Sequence, residues 1–198
     1  TLSYSLMSDT ASNLATNTGT YVKNGLTTVT VSDAATIAQL TTIDGTTDAT
    51  LSYSLMSDTA SNLVTNSGTY VKDGLTTVTV SDAASVSQLT TIDGTTDATL
   101  AITAVTDNAV NIVAANGTGL SSFVQTNTNV TVSDAATIAQ LTAIDAQATG
   151  GTLSYSLMSD TASNLATNTG TYVKNGLTTV TVSDAATIAQ LTTIDGTT

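Results

Sequence analysis

The segment from Thr1 to Thr47 returns, without one substitution, as Thr152 to Thr198. Thr50 to Ala98 repeats Thr1 to Ala49 with six mild changes, such as Val86 in place of Ile37. Between them, Thr99 to Gly151 reads as a diverged copy four residues longer. Its length changes fall around Gly117–Asn129 and Ala148–Gly151. Both stretches are rich in Gly, Asn, Ser and Thr and read as loops, where insertions are tolerated. Self-similarity at a fixed period is the signature of repeat architectures, and it constrains the fold before any local pattern does. The chain is therefore read as a single tandem array over 1–198, with units 1–49, 50–98, 99–151 and 152–198.

Each unit divides again. A series of eight Ser-Asp or Thr-Asp pairs recurs at spacings of 24 to 27 residues, at Asp9, Asp33, Asp58, Asp82, Asp107, Asp134, Asp160 and Asp184. Before each pair lies an alternating run such as Leu2-Ser3-Tyr4-Ser5-Leu6 or Thr28-Val29-Thr30-Val31, the period of a strand. After it the period becomes helical: Ala34, Ile37, Ala38, Leu40 and Ile43 fall on one stripe, and Ala11, Leu14 and Ala15 make a shorter one. Asn17 and Gly19 stop the short helix, and Asp44-Gly45 stops the longer one. The Ser/Thr-Asp pair sits where a helix start needs side-chain oxygens and favours an anion.

The pattern predicts an α/β repeat, a solenoid of eight strand–short helix coils, two per unit. A coil of this size buries too few apolar side chains to offset the entropy of ordering it, so it must stack on its neighbours. A ladder of Asp side chains along the stack would repel, and calcium or screening salt would relieve it. One feature points elsewhere. Val22-Lys23-Asn24-Gly25-Leu26 sets Asn-Gly between β-prone residues, as hairpins do. The same turn recurs at Asp73-Gly74 and Asn175-Gly176, so all-β, sandwich-like repeats are the alternative fold.

Composition narrows the partners. All 15 acids are Asp, the only cations are Lys23, Lys72 and Lys174, and the net charge is -12. Three scattered lysines cannot displace the counterions of a phosphate backbone or seat on an anionic bilayer, which argues against nucleic acid and membrane surfaces. No apolar run approaches the length of a span, so membrane insertion is not expected. There is no cysteine, and hence no disulfide or thiolate chemistry. No stretch reads as a signal peptide, and the chain opens at Thr1 in mid-pattern, as a window of a longer polypeptide would.

Without His, Cys, Glu or Arg, acid–base or nucleophilic catalysis would fall to Asp, Ser, Tyr or one of three lysines. The Ser-Asp pairs are eight equivalent neighbours, whereas an active site is one place. No catalytic residue, no cofactor site and no metal site is assigned, and the chain is not read as an enzyme. The one cation candidate is the loop Asp44-Gly45-Thr46-Thr47-Asp48 with its copy from Asp93 to Asp97, two carboxylates around a flexible glycine that calcium would suit. The third unit breaks it with Asp145-Ala146-Gln147-Ala148. Tyr4, Tyr21, Tyr53, Tyr70, Tyr155 and Tyr172 offer either a sugar-binding stripe or, as preferred here, half-buried packing with a wet hydroxyl.

The run Val29-Thr30-Val31-Ser32-Asp33-Ala34-Ala35-Thr36-Ile37-Ala38-Gln39-Leu40, together with Ser8-Asp9-Thr10-Ala11-Ser12-Asn13-Leu14, resembles a known repeat family. It is similar to the alternating "TVTDAATVAQLTAIDA" and "LSDTAANLA" repeats of very large secreted proteins of cyanobacteria and some proteobacteria. The resemblance covers the whole chain. It implies an extracellular or cell-surface location on a bacterium, and a structural, adhesive or surface-layer role without catalysis. Relatives carry glycine-rich calcium repeats of the G-G-x-G-x-D type, which this chain lacks, so calcium-driven folding is not carried over. The expected function is a structural segment of a surface fibre, filament or surface layer, joined end to end with other copies or within a longer covalent array. The alternative is an adhesin-type module gripping glycan or a partner protein along one face.

Overall fold

The computed structural model describes residues 2–114 and 116–198. The chain is mixed α/β, with small parallel sheets and, among the described residues, eight helices, each preceded by a strand. It forms two compact units, one of residues 1–82 with 87–102, the other of 83–86 with 103–198.

The first unit holds β1 (Leu6–Asp9), α1 (Ala11–Thr16), β2 (Thr28–Val31), α2 (Ile37–Asp44), β3 (Thr50–Ser52), β4 (Leu55–Asp58), α3 (Ala60–Thr65), β5 (Thr77–Val80), most of α4 (Val86–Asp93), and β6 (Thr99–Ile102). Two three-stranded sheets, β1-β2-β3 and β4-β5-β6, are parallel throughout. Leu6 faces Thr28 and Thr28 faces Thr50, so the three strands of one sheet follow one another at a step of 22 residues. Between the sheets, Ala35 bridges Met56: its N–H donates to Leu55 O at 3.2 Å, and its carbonyl accepts Ser57 N–H at 3.0 Å.

The second unit repeats the plan. Its elements are β7 (Ala104–Asp107), α5 (Ala109–Ile112), β8 (Asn129–Val132), α6 (Ile138–Gln147), β9 (Leu153–Ser154), β10 (Leu157–Asp160), α7 (Ala162–Thr167), β11 (Thr179–Val182) and α8 (Ile188–Asp195). The sheets β7-β8-β9 and β10-β11 are parallel, and Ala84 and Ala136 bridge Val105 and Met158 as Ala35 bridges Met56.

Parallel neighbours require a crossover, and the short helix with its following turn supplies it. The strand Thr28-Val29-Thr30-Val31 turns Val29 and Val31 into the core and its threonines outward. On α2, Ile37, Leu40 and Ile43 are buried, while Ala38 faces solvent. Eight residues are too few for a helix to persist alone, so this apolar edge holds it in place. Thr41 and Thr42 return their hydroxyls to the carbonyls of Ile37 and Ala38, both at 2.8 Å. Among the described residues no buried side-chain nitrogen or oxygen lacks a partner.

Two expectations are corrected. The Asn-Gly segment is a turn into the next strand and not a hairpin: Gly25 sits at φ 91°, and the strand after it pairs in parallel with β1. The sandwich-like alternative falls with it, since every strand pair is parallel and helices alternate with strands. The longer helix also starts later than the apolar stripe suggests. Ala34 is exposed and outside it, because Thr36 is the N-cap and closes a capping box with Gln39.

Candidate functional site

The carboxylates of the Ser/Thr-Asp pairs carry most of the polar chemistry, in two alternating roles. In the first, Asp58 accepts the Thr59 N–H and the Asn62 side-chain amide on Oδ1, both at 2.8 Å. Its Oδ2 accepts the Ile37 N–H at 2.8 Å, the first residue of the helix one coil earlier. Asp160 does the same for Thr161, Asn164 and Ile138, and Asp107 for Asn108, Asn111 and Val86. In the second role, Asp33 accepts the Ala11 N–H, at 2.7 Å. Asp82, Asp134 and Asp184 likewise take Ala60, Ala109 and Ala162.

Each of these Asp residues after Asp9 therefore reaches back to the start of the preceding helix, where free N–H groups and the helix dipole favour an anion. Six of the helix N-caps are Thr10, Thr36, Thr59, Thr137, Thr161 and Thr187, whose hydroxyls accept from the residue three further on; α5 is capped by Asn108, with no side-chain cap bond. The expected Asp-on-Asp ladder does not form. Asp9 lies opposite Val31, because the strands step by fewer residues than the Asp spacing, and Asp33 falls two positions beyond. At Asp9 the Asn13 amide, and then the Thr10 N–H, hold the carboxyl below its usual value.

The tyrosines and lysines form a second constellation. Tyr4, Tyr53 and Tyr155 donate their hydroxyls to the carbonyls of Tyr21, Tyr70 and Tyr172 at 2.8–2.9 Å. Lys23, Lys72 and Lys174 lie over the same three rings, at 5.8, 5.4 and 5.0 Å from the centroids. Desolvation first, then the neighbouring Tyr70 and Asp44, pushes Tyr53 up to about 12; Tyr155 rises to about 12 through burial, Tyr172 and Asp145. The hydroxyls of Tyr4, Tyr53 and Tyr155, expected to be wet, are thus spent on carbonyls, and those of Tyr70 and Tyr172 reach the carboxylates of Asp44 and Asp145. All three lysines stand at one fixed position after a tyrosine, a cue to their common setting that the sequence carried.

The cation candidate is divided among other partners. Asp48 accepts the Gly25 N–H at 2.9 Å, Asp44 accepts the Tyr70 hydroxyl at 3.2 Å, and Thr47 donates to Lys23 O at 3.1 Å. Among the described residues no three acidic groups converge as a metal would require, and no helix is long and apolar enough to cross a membrane.

Two faces of the repeat lie open. At α8, Ile188 is 85% exposed although its counterpart Ile37 is 7% exposed, and Leu191 is half exposed where Leu40 is fully buried. With Val180 and Val182 they line a groove of about 560 Å³. At the other face, Leu2 and Leu6 are largely exposed. No family model, curated protein or solved structure matches the chain.

Proposed function

We propose that this chain is a structural segment of an extracellular bacterial fibre, filament or surface layer, built as a solenoid of eight strand–helix coils. Its work is geometric: to span, coat or project. The observation that carries the reading is the tie from each Asp after the first coil to the helix one coil earlier. Seven such bonds occupy the carboxylates that a catalytic or metal-binding protein would keep for substrate or ion. Parallel pairing of successive strands within each unit supports the stacked arrangement, because each coil buries the apolar edge of the one before it. Cysteine-free composition suits an exported protein stabilised by packing alone.

Immunogold labelling of intact bacteria that carry the protein, with a glycan array run in parallel, tests this reading. Label on threads or sheets at the surface, with no glycan bound, is the expected result. Label confined to the cell interior would overturn it, and saturable binding of one sugar would replace it with the adhesive function.

A further inference from the structure

Two Asn-x-Thr triplets occur in the sequence, Asn116-Gly117-Thr118 and Asn129-Val130-Thr131, and both lie in the second compact unit. Such a triplet is the acceptor signal for N-linked sugar, and the fold separates the two candidates. Asn116 lies between α5 and β8, in the stretch where the third unit departs from the repeat. The Ala114 N–H donates to Thr118 O at 3.0 Å and the Gly117 N–H to Ala114 O at 2.8 Å, which closes a tight turn. Two further bonds fix its base: the Ser121 N–H on Ile112 O at 2.8 Å, and the buried Gln140 side-chain amide on Val113 O at 2.9 Å. Only glycine fits at position 117, where φ is 78° and a Cβ would stand 2.8 Å from Ala139 O.

Inside this turn the Thr118 hydroxyl donates to Asn116 Oδ1 at 2.8 Å, and the Thr118 N–H donates to the same oxygen at 3.2 Å. Both residues are exposed, and Asn116 Nδ2 has no partner among the described residues. An amide nitrogen is a poor nucleophile because its lone pair is shared with the carbonyl. Donors aimed at the oxygen stabilise the imidate form, in which negative charge rests on that oxygen and the nitrogen is free to react. We propose that Asn116, and not Asn129, is the acceptor of an N-linked glycan. Nδ2 attacks the anomeric carbon of a sugar activated through phosphate, carried on a nucleotide or a lipid. The bond from that carbon to the phosphate oxygen breaks, its electron pair leaves with the phosphate, and the amide nitrogen gives one proton to a base of the transferase.

The other asparagines in comparable places are spent differently. Asn17, Asn66 and Asn168 follow the short helices of the other units, but each side-chain amide donates to a carbonyl, of Asn13, Asn62 and Asn164, at 2.9 Å. Two residues beyond each stands glycine, with no hydroxyl to offer. Asn129 has the triplet but not the turn. It opens β8, whose Thr131 is paired with Thr106 on one side and Ser154 on the other. Its Oδ1 is held by the N–H and hydroxyl of Thr152, at 3.0 and 2.9 Å. A transferase could reach Asn129 in the required bend only by pulling a central strand from its sheet.

Intact mass and peptide sequencing of the full chain, isolated from bacteria that carry it, test the site. A glycan on Asn116 with none on Asn129 is the expected result. Thr118→Ala should abolish the modification and Thr118→Ser should keep it, with circular dichroism confirming that both variants fold. Full chain made in a host without such transferases, then given either the soluble fraction with nucleotide sugars or membranes with lipid-linked sugars, identifies the donor by the arm in which Asn116 is modified. A bare or merely deamidated Asn116 in the native protein would overturn the proposal. So would transfer in neither arm, a glycan that survives Thr118→Ala, or sugar on Asn129. A bare Asn116 in protein labelled on surface threads would leave the structural reading standing, and a glycan on protein confined to the cell interior would leave the site standing.

Discussion

Asp58 and Ile37, 21 residues apart in sequence, meet at 2.8 Å, carboxylate Oδ2 to backbone N–H. The contact joins a strand to the helix of the previous coil. It is made by a carboxylate that is only 8% exposed and already holds two donors of its own coil. A buried anion that accepts three bonds is costly to replace with a group that brings donors of its own.

Asp58→Asn should therefore destabilise the protein by about 2–3 kcal/mol, since the amide turns N–H groups toward N–H groups. Asp33→Asn removes a single part-buried bond to Ala11, from a residue that is itself exposed, and should cost about 1 kcal/mol or less. Urea melts of the two variants check the difference; equal losses would mean that the carboxylates do not tie coil to coil.

Leu40 and Leu191 occupy equivalent positions of identical segments, one fully buried and the other half exposed. Leu40→Ala should cost about 2–5 kcal/mol and Leu191→Ala about 1 kcal/mol or less, measured on dilute protein. Because the two sites share every neighbour in sequence, the difference reports burial by the next coil alone.

Tyr53 and Tyr155 hold their protons up to about 12, against about 10 in an unfolded chain. Below pH 10 both states are protonated and the contribution is complete; between 10 and about 12 the unfolded state releases protons that the folded state keeps, so stability falls. Each ring is partly in water, and the loss should be about 1 kcal/mol each, under the ~2.7 kcal/mol of the full displacement. Tyr53→Phe with Tyr155→Phe should flatten the melting temperature over that range. An unchanged slope would mean that other groups cause the alkaline loss.

Gly151 marks where the longer unit folds back. A Cβ there would collide with the Thr128 carbonyl oxygen. Gly151→Ala should cost about 1–3 kcal/mol through forced backbone movement, read by thermal melting. A neutral result would show that the loop at 148–151 is free to shift.

Much of this fold was legible in residue order. Alternation in Thr28–Val31, the period of Ile37, Leu40 and Ile43, and the stop at Gly45 located strands and helices, because those signals are local. The capping box of Thr36 and Gln39 was equally local, but it was obscured by the more frequent Ser-Asp pair. What the Asp residues do was not legible. Asp33 touches Ala11 only because 22 residues close one coil, and that closure is a tertiary fact. The Asn-Gly hairpin misled for the same reason: a turn fixes its own φ angles, whereas the pairing of the strands beside it is decided by the rest of the core.

The distance between the first and seventh helices tests most directly whether the coils form one stack. The chain has no cysteine, so spin labels at Ser12→Cys and Ser163→Cys, both exposed helix positions, report without background. If the proposed single stack of eight coils holds, six coil steps at about 4.8 Å each place the labels near ~29 Å with a narrow distribution, measured by pulsed dipolar spectroscopy on dilute protein. A broad distribution, or a maximum far from that separation, would contradict a single stack of eight coils.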